Sequence, residues 1–203
     1  MDITEEEIDI LTELINLGVG QAAGMLNQMI DAHVTMEVPS LIVITTEELP
    51  DSLYLSGSRS HAFVRLAFTG LINGVASLVF PSDSASKLVS LVTTEEISSI
   101  ELDSLQSGTL SEIGNILLSA VMGSLANALT KHLNYSIPTY HEDTISGYIQ
   151  KIAKDKEKAI IVVETRFYIA KQAIKGEIIL IFEVQGFQEL LAAINILHSQ
   201  TIA

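Results

Sequence analysis

The chain has no cysteine. Disulfide frameworks, thiolate catalysis and cysteine-ligated zinc are therefore excluded. Basic residues are scarce, 11 Lys and Arg against 25 Asp and Glu, for a formal net charge of −14. A nucleic-acid binder needs a basic footprint to displace counterions, and this chain lacks one. The same deficit disfavours adsorption to an anionic membrane. Long apolar runs are also missing. Stretches such as Leu71–Phe80 and Ile178–Phe182 fall short of the roughly 20 residues a spanning helix needs. The opening Met-Asp-Ile-Thr-Glu-Glu-Glu is too acidic and polar for a signal peptide, so a cytoplasmic protein without membrane insertion is expected.

What is present suits a folded protein. Of 203 residues, 48% are hydrophobic and 18% charged, enough apolar material for a sizeable core. The charge is uneven. Residues 1–100 carry 14 acids and 3 bases, whereas residues 101–203 carry 11 acids and 8 bases.

Helical periodicity runs through residues 4–30, with Thr4 and Glu7 in capping-box spacing. Gly18, Gly20 and Gly24 predict a kink or break near Gly18–Gly20. Val34–Val38 alternates, Pro39 interrupts, and Leu41–Thr46 reads as a strand. Ala62–Phe68 and Gly74–Phe80 form a candidate hairpin, followed by a short helix over about 83–93, capped by Pro81-Ser-Asp-Ser. The order then repeats. Asp103 with Gln106 suggests a cap for a helix of about 104–131, and short extended pieces flank Pro138. Ile160–Ile169 and Gly176–Val184 form a second hairpin, and Phe187–Leu197 a last helix. Residues 142–158, with their lysine run, read as an insertion, part helix and part solvated loop. The short polar segment Thr93–Leu102 reads as a crossover. The expected fold is α+β: one pseudo-twofold domain over residues 1–203, from repeats of about 1–100 and 101–203. A largely antiparallel sheet would pack against two long helices and several shorter ones.

The duplication sharpens at a few polar residues. Glu13-Leu-Ile-Asn16 lies in the first long helix, with Pro39 following Asn16 by 23 positions. Glu112-Ile-Gly-Asn115 lies in the second, with Pro138 following Asn115 by the same 23. Glu and Asn at i and i+3 share a helix face, and Asp9, four residues before Glu13, shares it too. The carboxylate can pair with a partner's lysine. The amide donates and accepts at once, so it can hold a water in line with an electrophile, but it is neither a strong base nor a nucleophile. Such a device works by positioning, which suits phosphoryl transfer. Competing motifs are weak. Gly18-Val-Gly20-Gln-Ala-Ala23 fits a dinucleotide fingerprint only superficially, because a helical pattern precedes it. The histidines (His33, His61, His132, His141, His198) show no metal-ligand spacing, and no serine sits in a nucleophile elbow.

The twofold pattern Asp/Ser-x3-Glu-x2-Asn-x22-Pro resembles the signature of the CheC family of chemotaxis response-regulator phosphatases. Asp9, Glu13, Asn16 and Pro39 match all four positions. Glu112, Asn115 and Pro138 match three, with Gly108 in the first. The length, the duplicated layout and the Gly-Val-Gly-Gln-Ala-Ala stretch also resemble CheC. The resemblance implies hydrolysis of the aspartyl-phosphate of a CheY-type response regulator. Asn16 and Asn115 would orient the attacking water, and Glu13 and Glu112 would anchor the partner's lysine. It implies no cofactor of the chain's own, since the Mg2+ belongs to the regulator. It also implies the receptor deamidase CheD as a further partner, and a non-catalytic adaptor binding CheD or a receiver domain as the alternative reading. Gly108 favours that alternative at the second site. Two motifs favour the CheC type over the one-site CheX type, and the length leaves no room for the added domain of the flagellar-switch phosphatase. The acids Glu5–Glu7, Asp9 and Glu13 are expected to form a negative field that orients a lysine-bearing partner.

Overall fold

The computed structural model describes residues 3–29, 33–45, 60–70, 72–93, 99–128, 130, 132–152, 158–169 and 172–201. Helix α1 (Glu5–Met29) starts where the spacing predicts. The Thr4 amide donates to Glu7 Oε2 at 2.8 Å, and the Glu7 amide donates to Thr4 Oγ1 at 3.2 Å. The two side chains thus satisfy each other's otherwise unpaired donors. Glu7 Oε1 also accepts from Asn195 Nδ2 at 2.8 Å. Glu7 is therefore buried in the fold, while Glu5 and Glu6 stay exposed. The negative field expected from Glu5–Glu7 loses its third member to this structural role. The predicted break at Gly18–Gly20 is absent, and α1 runs uninterrupted to Met29. Gly18 serves contact instead: a Cβ there would lie 2.5 Å from Val121 Cα. At the far end, Asn27 takes Val34 N–H on its Oδ1 at 2.6 Å and gives its Nδ2 to Val34 O at 3.1 Å. That double bond fixes the exit of the helix into β1 (Val34–Thr45).

The two segments predicted around Pro39 are one strand. Pro39 lies in a bulge of β1, where register shifts between Glu37 and Ser40. A proline that cannot donate is tolerated there, and β1 is an edge strand. Strands β2 (His61–Gly70) and β3 (Gly74–Pro81) form the first hairpin. The Gly70 amide donates to Asn73 Oδ1 at 3.2 Å across the turn, and Gly70 takes a positive φ of 153° that a side chain would disfavour. Helix α2 (Ser82–Val92) follows. Its first serine does not cap it; Ser82 Oγ donates to Ser60 O instead.

Helix α3 (Ser99–Ala128) begins earlier than the Asp103 pattern suggests, so Asp103 lies inside the helix rather than at its start. Strands β4 (Leu133–Tyr135) and β5 (Thr139–Asp143) flank Pro138, and the predicted insertion over 142–158 opens with the end of β5, paired to β2, before α4 (Ile145–Ile152). Lys154 and Lys156 of the lysine run lie outside the described residues, as do Thr46 and residues 94–98 of the predicted Thr93–Leu102 crossover, whose last four residues, 99–102, belong to α3. Strands β6 (Lys158–Ile169) and β7 (Gln172–Glu183) form the second hairpin, and α5 (Val184–Thr201) closes the order.

The fold is α+β, with every strand pairing antiparallel. The order is β1-β6-β7-β3-β2-β4, with β5 also on β2. Exchanging β1 with β4/β5, β2 with β6 and β3 with β7 maps that order onto its own reverse. Each hairpin receives its outer strand from the other half of the chain. The two prolines match as well. Pro39 sits in the β1 bulge, and Pro138 sits in the gap between β4 and β5. Across that gap Ser136 bonds both the amide and the carbonyl of Ala67, at 3.0 and 2.9 Å.

Alternation divides the sheet. Val64, Leu66, Leu78, Ile161, Val163, Ile178 and Leu180 face the helices in the main core with Leu11, Ile15, Val19, Leu117 and Val121. Phe63, Val79, Ile160, Val162, Ile179 and Ile181 face the other side, where Ile145 and Tyr148 of α4 pack on them. Ser104–Asn127 within α3 is long and apolar enough to cross a membrane, but 61% of that window is buried in the fold. On the second face Glu177 stands directly across from Glu164, and burial first, then the Glu164 charge, pushes its carboxyl up to about 7.

Two tests follow from the packing of α1. Gly18→Ala is expected to destabilise by about 1–3 kcal/mol, because the clash is with backbone that cannot swing aside. Gly20→Ala, with nothing within 4 Å, should instead stabilise by about 0.5–1 kcal/mol. Equal effects in urea unfolding would refute the close α1–α3 approach. For Glu7, the Thr4 amide and then the Asn195 amide hold the carboxyl below its ordinary value. A lowered folded pKa gives stability that is present above the unfolded value and lost as pH falls through the folded one. Glu7→Gln should therefore cost about 1–2 kcal/mol at pH 7 and progressively less toward pH 3. A pH-independent cost would count against this account.

Candidate functional site

The polar residues of α1 lie where a helix of this phase must put them. Leu11, Ile15, Val19, Ala22 and Leu26 are buried against the sheet and α3. Asp9, Glu13 and Asn16 point the other way and are exposed. With Thr12 and Leu17 they line an open surface groove of about 490 Å3. Thr12 Oγ1 is tied to Ile8 O at 2.7 Å, so its methyl rather than its hydroxyl is offered. Leu17 is 55% exposed and stands beside these polar groups. The groove thus combines two carboxylates, one amide and one apolar side chain on a rigid helix. It can pair with a cation, hold a water and bury a small apolar contact, all without a conformational change.

Helix α3 presents the counterpart. Leu110, Ile113, Leu117 and Val121 face the core, and Glu112 is exposed. Asn115 is partly buried, and its Oδ1 accepts from Ser119 Oγ at 3.5 Å. In α1 the residue four after Asn16 is Gly20, so Asn16 has no such neighbour. The two amides therefore differ. That of Asn16 projects freely from its helix, whereas that of Asn115 leans on its own helix. Ile116, the counterpart of Leu17, is drawn in against the main core.

Of the residues singled out from sequence, Asp9, Glu13 and Asn16 are brought together, and Glu112 and Asn115 share one face of α3. Pro39 and Pro138 do not line the α1 groove; they interrupt the outer strands. Thr12, Leu17 and Ser119 were missed. Thr12 and Leu17 carried a signal, because Ser111 and Ile116 repeat them at the same displacement of 99. Among the described residues, no three His, Asp or Glu side chains converge to hold a metal ion.

No family model matches the chain. Among curated proteins, the CheY-P phosphatase CheC of Bacillus subtilis (strain 168) is 26% identical over 201 residues, 95% of this chain and 96% of that protein. Among solved structures, Thermotoga maritima FliY superposes with a TM-score of 0.72 at 20% identity, covering 96% of this chain and 98% of that one. The middle domain of FliM from H. pylori superposes with a TM-score of 0.62 at 14% identity, covering 94% and 99%.

Gly108 is the one departure in the paired motifs, and it is exposed with nothing within 4 Å of a built Cβ. A side chain there meets no obstacle and removes backbone freedom from the unfolded chain. Gly108→Ser should raise stability by about 0.5 kcal/mol. A loss of melting temperature would mean that the glycine is needed for the path of α3.

Proposed function

We propose that this chain, a member of the CheC/CheX/FliY family, is a cytoplasmic phosphatase that hydrolyses the aspartyl-phosphate of a CheY-type response regulator in chemotaxis signalling. The observation that carries the reading is the pair of helix faces presenting Glu13 with Asn16 and Glu112 with Asn115, outward from a rigid core.

Asn16 stands on the convex surface of a helix, so its carboxamide can enter a partner's phosphorylation pocket. Its Oδ1 accepts a hydrogen bond from a water, and its Nδ2 donates toward the phosphoryl oxygens. The water oxygen is thereby held in line with phosphorus. As its bond to phosphorus forms, the bond to the aspartyl oxygen breaks. The carboxylate leaves, the water's proton passes to the phosphate, and inorganic phosphate departs. An amide supplies no basicity to this step; it supplies orientation, which is where a loose phosphoryl transition state is most sensitive. Glu13 pairs with a lysine of the regulator and fixes the depth and rotation of the helix. Asp9 extends the negative edge, and Leu17 gives the docked face an apolar contact that excludes water. The Mg2+ of the reaction is the regulator's, and the chain needs no cofactor of its own. Glu112 and Asn115 repeat the arrangement, with Ser119 restraining the amide and Gly108 leaving the edge short of one side chain.

The test is the decay of a phosphorylated CheY-type regulator with the wild-type chain, each single variant and the double variant. Asn16→Ala plus Asn115→Ala should abolish an acceleration on the order of 10²-fold. Either single variant should keep part of it, with the larger loss at Asn16, whose amide is the freer. Unchanged decay with the double variant would overturn the catalytic roles. Tight binding of the wild type to CheD or to a receiver domain, with no faster loss of phosphate, would favour the adaptor reading instead.

A further inference from the structure

On the sheet face away from α1 and α3, a cleft of about 450 Å3 opens between α4, β5 and the ends of β3, β6 and β7. In a chain of net charge −14, three of the 11 basic residues line it: Arg65, Lys151 and Lys158. Two of them have carboxylate partners. Lys151 meets Asp143 at 2.6 Å, and Lys158 meets Glu183 at 3.4 Å. Arg65 has none among the described residues. It lies mid-strand in β2, between Ser77 of β3 and Thr139 of β5, and its Nε is buried without a hydrogen-bond partner. A guanidinium cannot shed its proton to escape that situation. A buried donor on a charged group is costly to leave unpaired, and an anionic acceptor in the cleft would satisfy it.

We propose that this cleft binds a phosphate-class anion, with Arg65 at its floor. A planar carboxylate would be satisfied by the guanidinium fork alone. Here Lys151 of α4 and Lys158 of β6 line the same cleft, each beside its carboxylate partner and with Glu183 also in the lining, and a phosphate with several terminal oxygens can engage more than one of these cations. The cleft is larger than one phosphate, and its wall carries the rings of His141 and Tyr148, the latter stacked on Phe63 with centroids 4.3 Å apart. Burial, then Arg65 and Lys151, keep His141 below its ordinary pKa despite the opposing pull of Asp143, and its ring is placed to flank an organic group. The same phosphate chemistry is offered by inorganic phosphate and by a small phosphomonoester, and the arms of the test separate them. Because the cleft lies on the opposite sheet face from the Glu–Asn helices, both can be occupied at once.

The experiment is an NMR titration of the full chain with inorganic phosphate, adenosine monophosphate and citrate at fixed ionic strength. Saturable shifts are expected at the Arg65 side-chain N–H and at the amides of Thr139, His141 and Lys151. Tighter binding of the monophosphate identifies an ester as the ligand, and equal binding identifies the bare anion. Arg65→Gln should remove the shifts. In case that strand position does not tolerate the change, Lys151→Ala, whose side chain is 68% exposed, should weaken affinity about three- to tenfold with the fold intact. The proposal fails if neither phosphate gives saturable shifts, if citrate binds as tightly as both, or if folded Lys151→Ala binds as the wild type does.

Discussion

The structure depends on an exchange of strands between the two halves of the chain. Strand β1 completes the β6–β7 hairpin, and β4 and β5 complete the β2–β3 hairpin. With β3 and β7 paired at the centre, neither half owns a sheet. Both long helices must then lie on the one continuous surface that results, side by side, with Gly18 of α1 against the backbone of α3 at Val121. The orientation of the Glu–Asn faces follows from this. A helix that buries Leu11, Ile15 and Val19 has no choice about where it puts Glu13 and Asn16.

Much of this was legible in the sequence, and the reasons differ from element to element. The hairpins were readable because Ile160–Ile169 and Gly176–Val184 are dense in β-branched residues; Gly176, read as the start of the second strand, lies inside β7. The paired motifs were readable because one displacement relates Glu13, Asn16 and Pro39 to Glu112, Asn115 and Pro138. The glycines misled. Local propensity treats Gly18 as a weak point of a helix, whereas its role is set by a helix more than 90 residues away. Asp103 misled for a similar reason, since a capping pattern inside a helix looks like one at its start. Pro39 suggested two strands because periodicity cannot distinguish a bulge from an end. The engagement of Asn115 by Ser119 was beyond reach, because it needed the side-chain rotamers of α3.

The two faces of the sheet offer different charged groups. The helical side offers carboxylates and amides to solvent. The other side gathers Arg65, Lys151 and Lys158 in one cleft against α4, with Asp143 and Glu183 as partners of the two lysines. One sheet thus presents two chemically distinct surfaces.

The strand exchange also bears on how the chain reaches this state. Val34 finds its partner at Ile169, and Thr45 at Ala159. During synthesis β1 emerges early and then waits, with one edge unsatisfied, for more than a hundred further residues. Contacts of that separation slow folding, because loop closure must precede any gain from pairing. The Asn27 clamp on Val34 is the local contact that can hold the start of β1 against α1 during the wait. The last hairpin to be made is thus the one that commits the first strand.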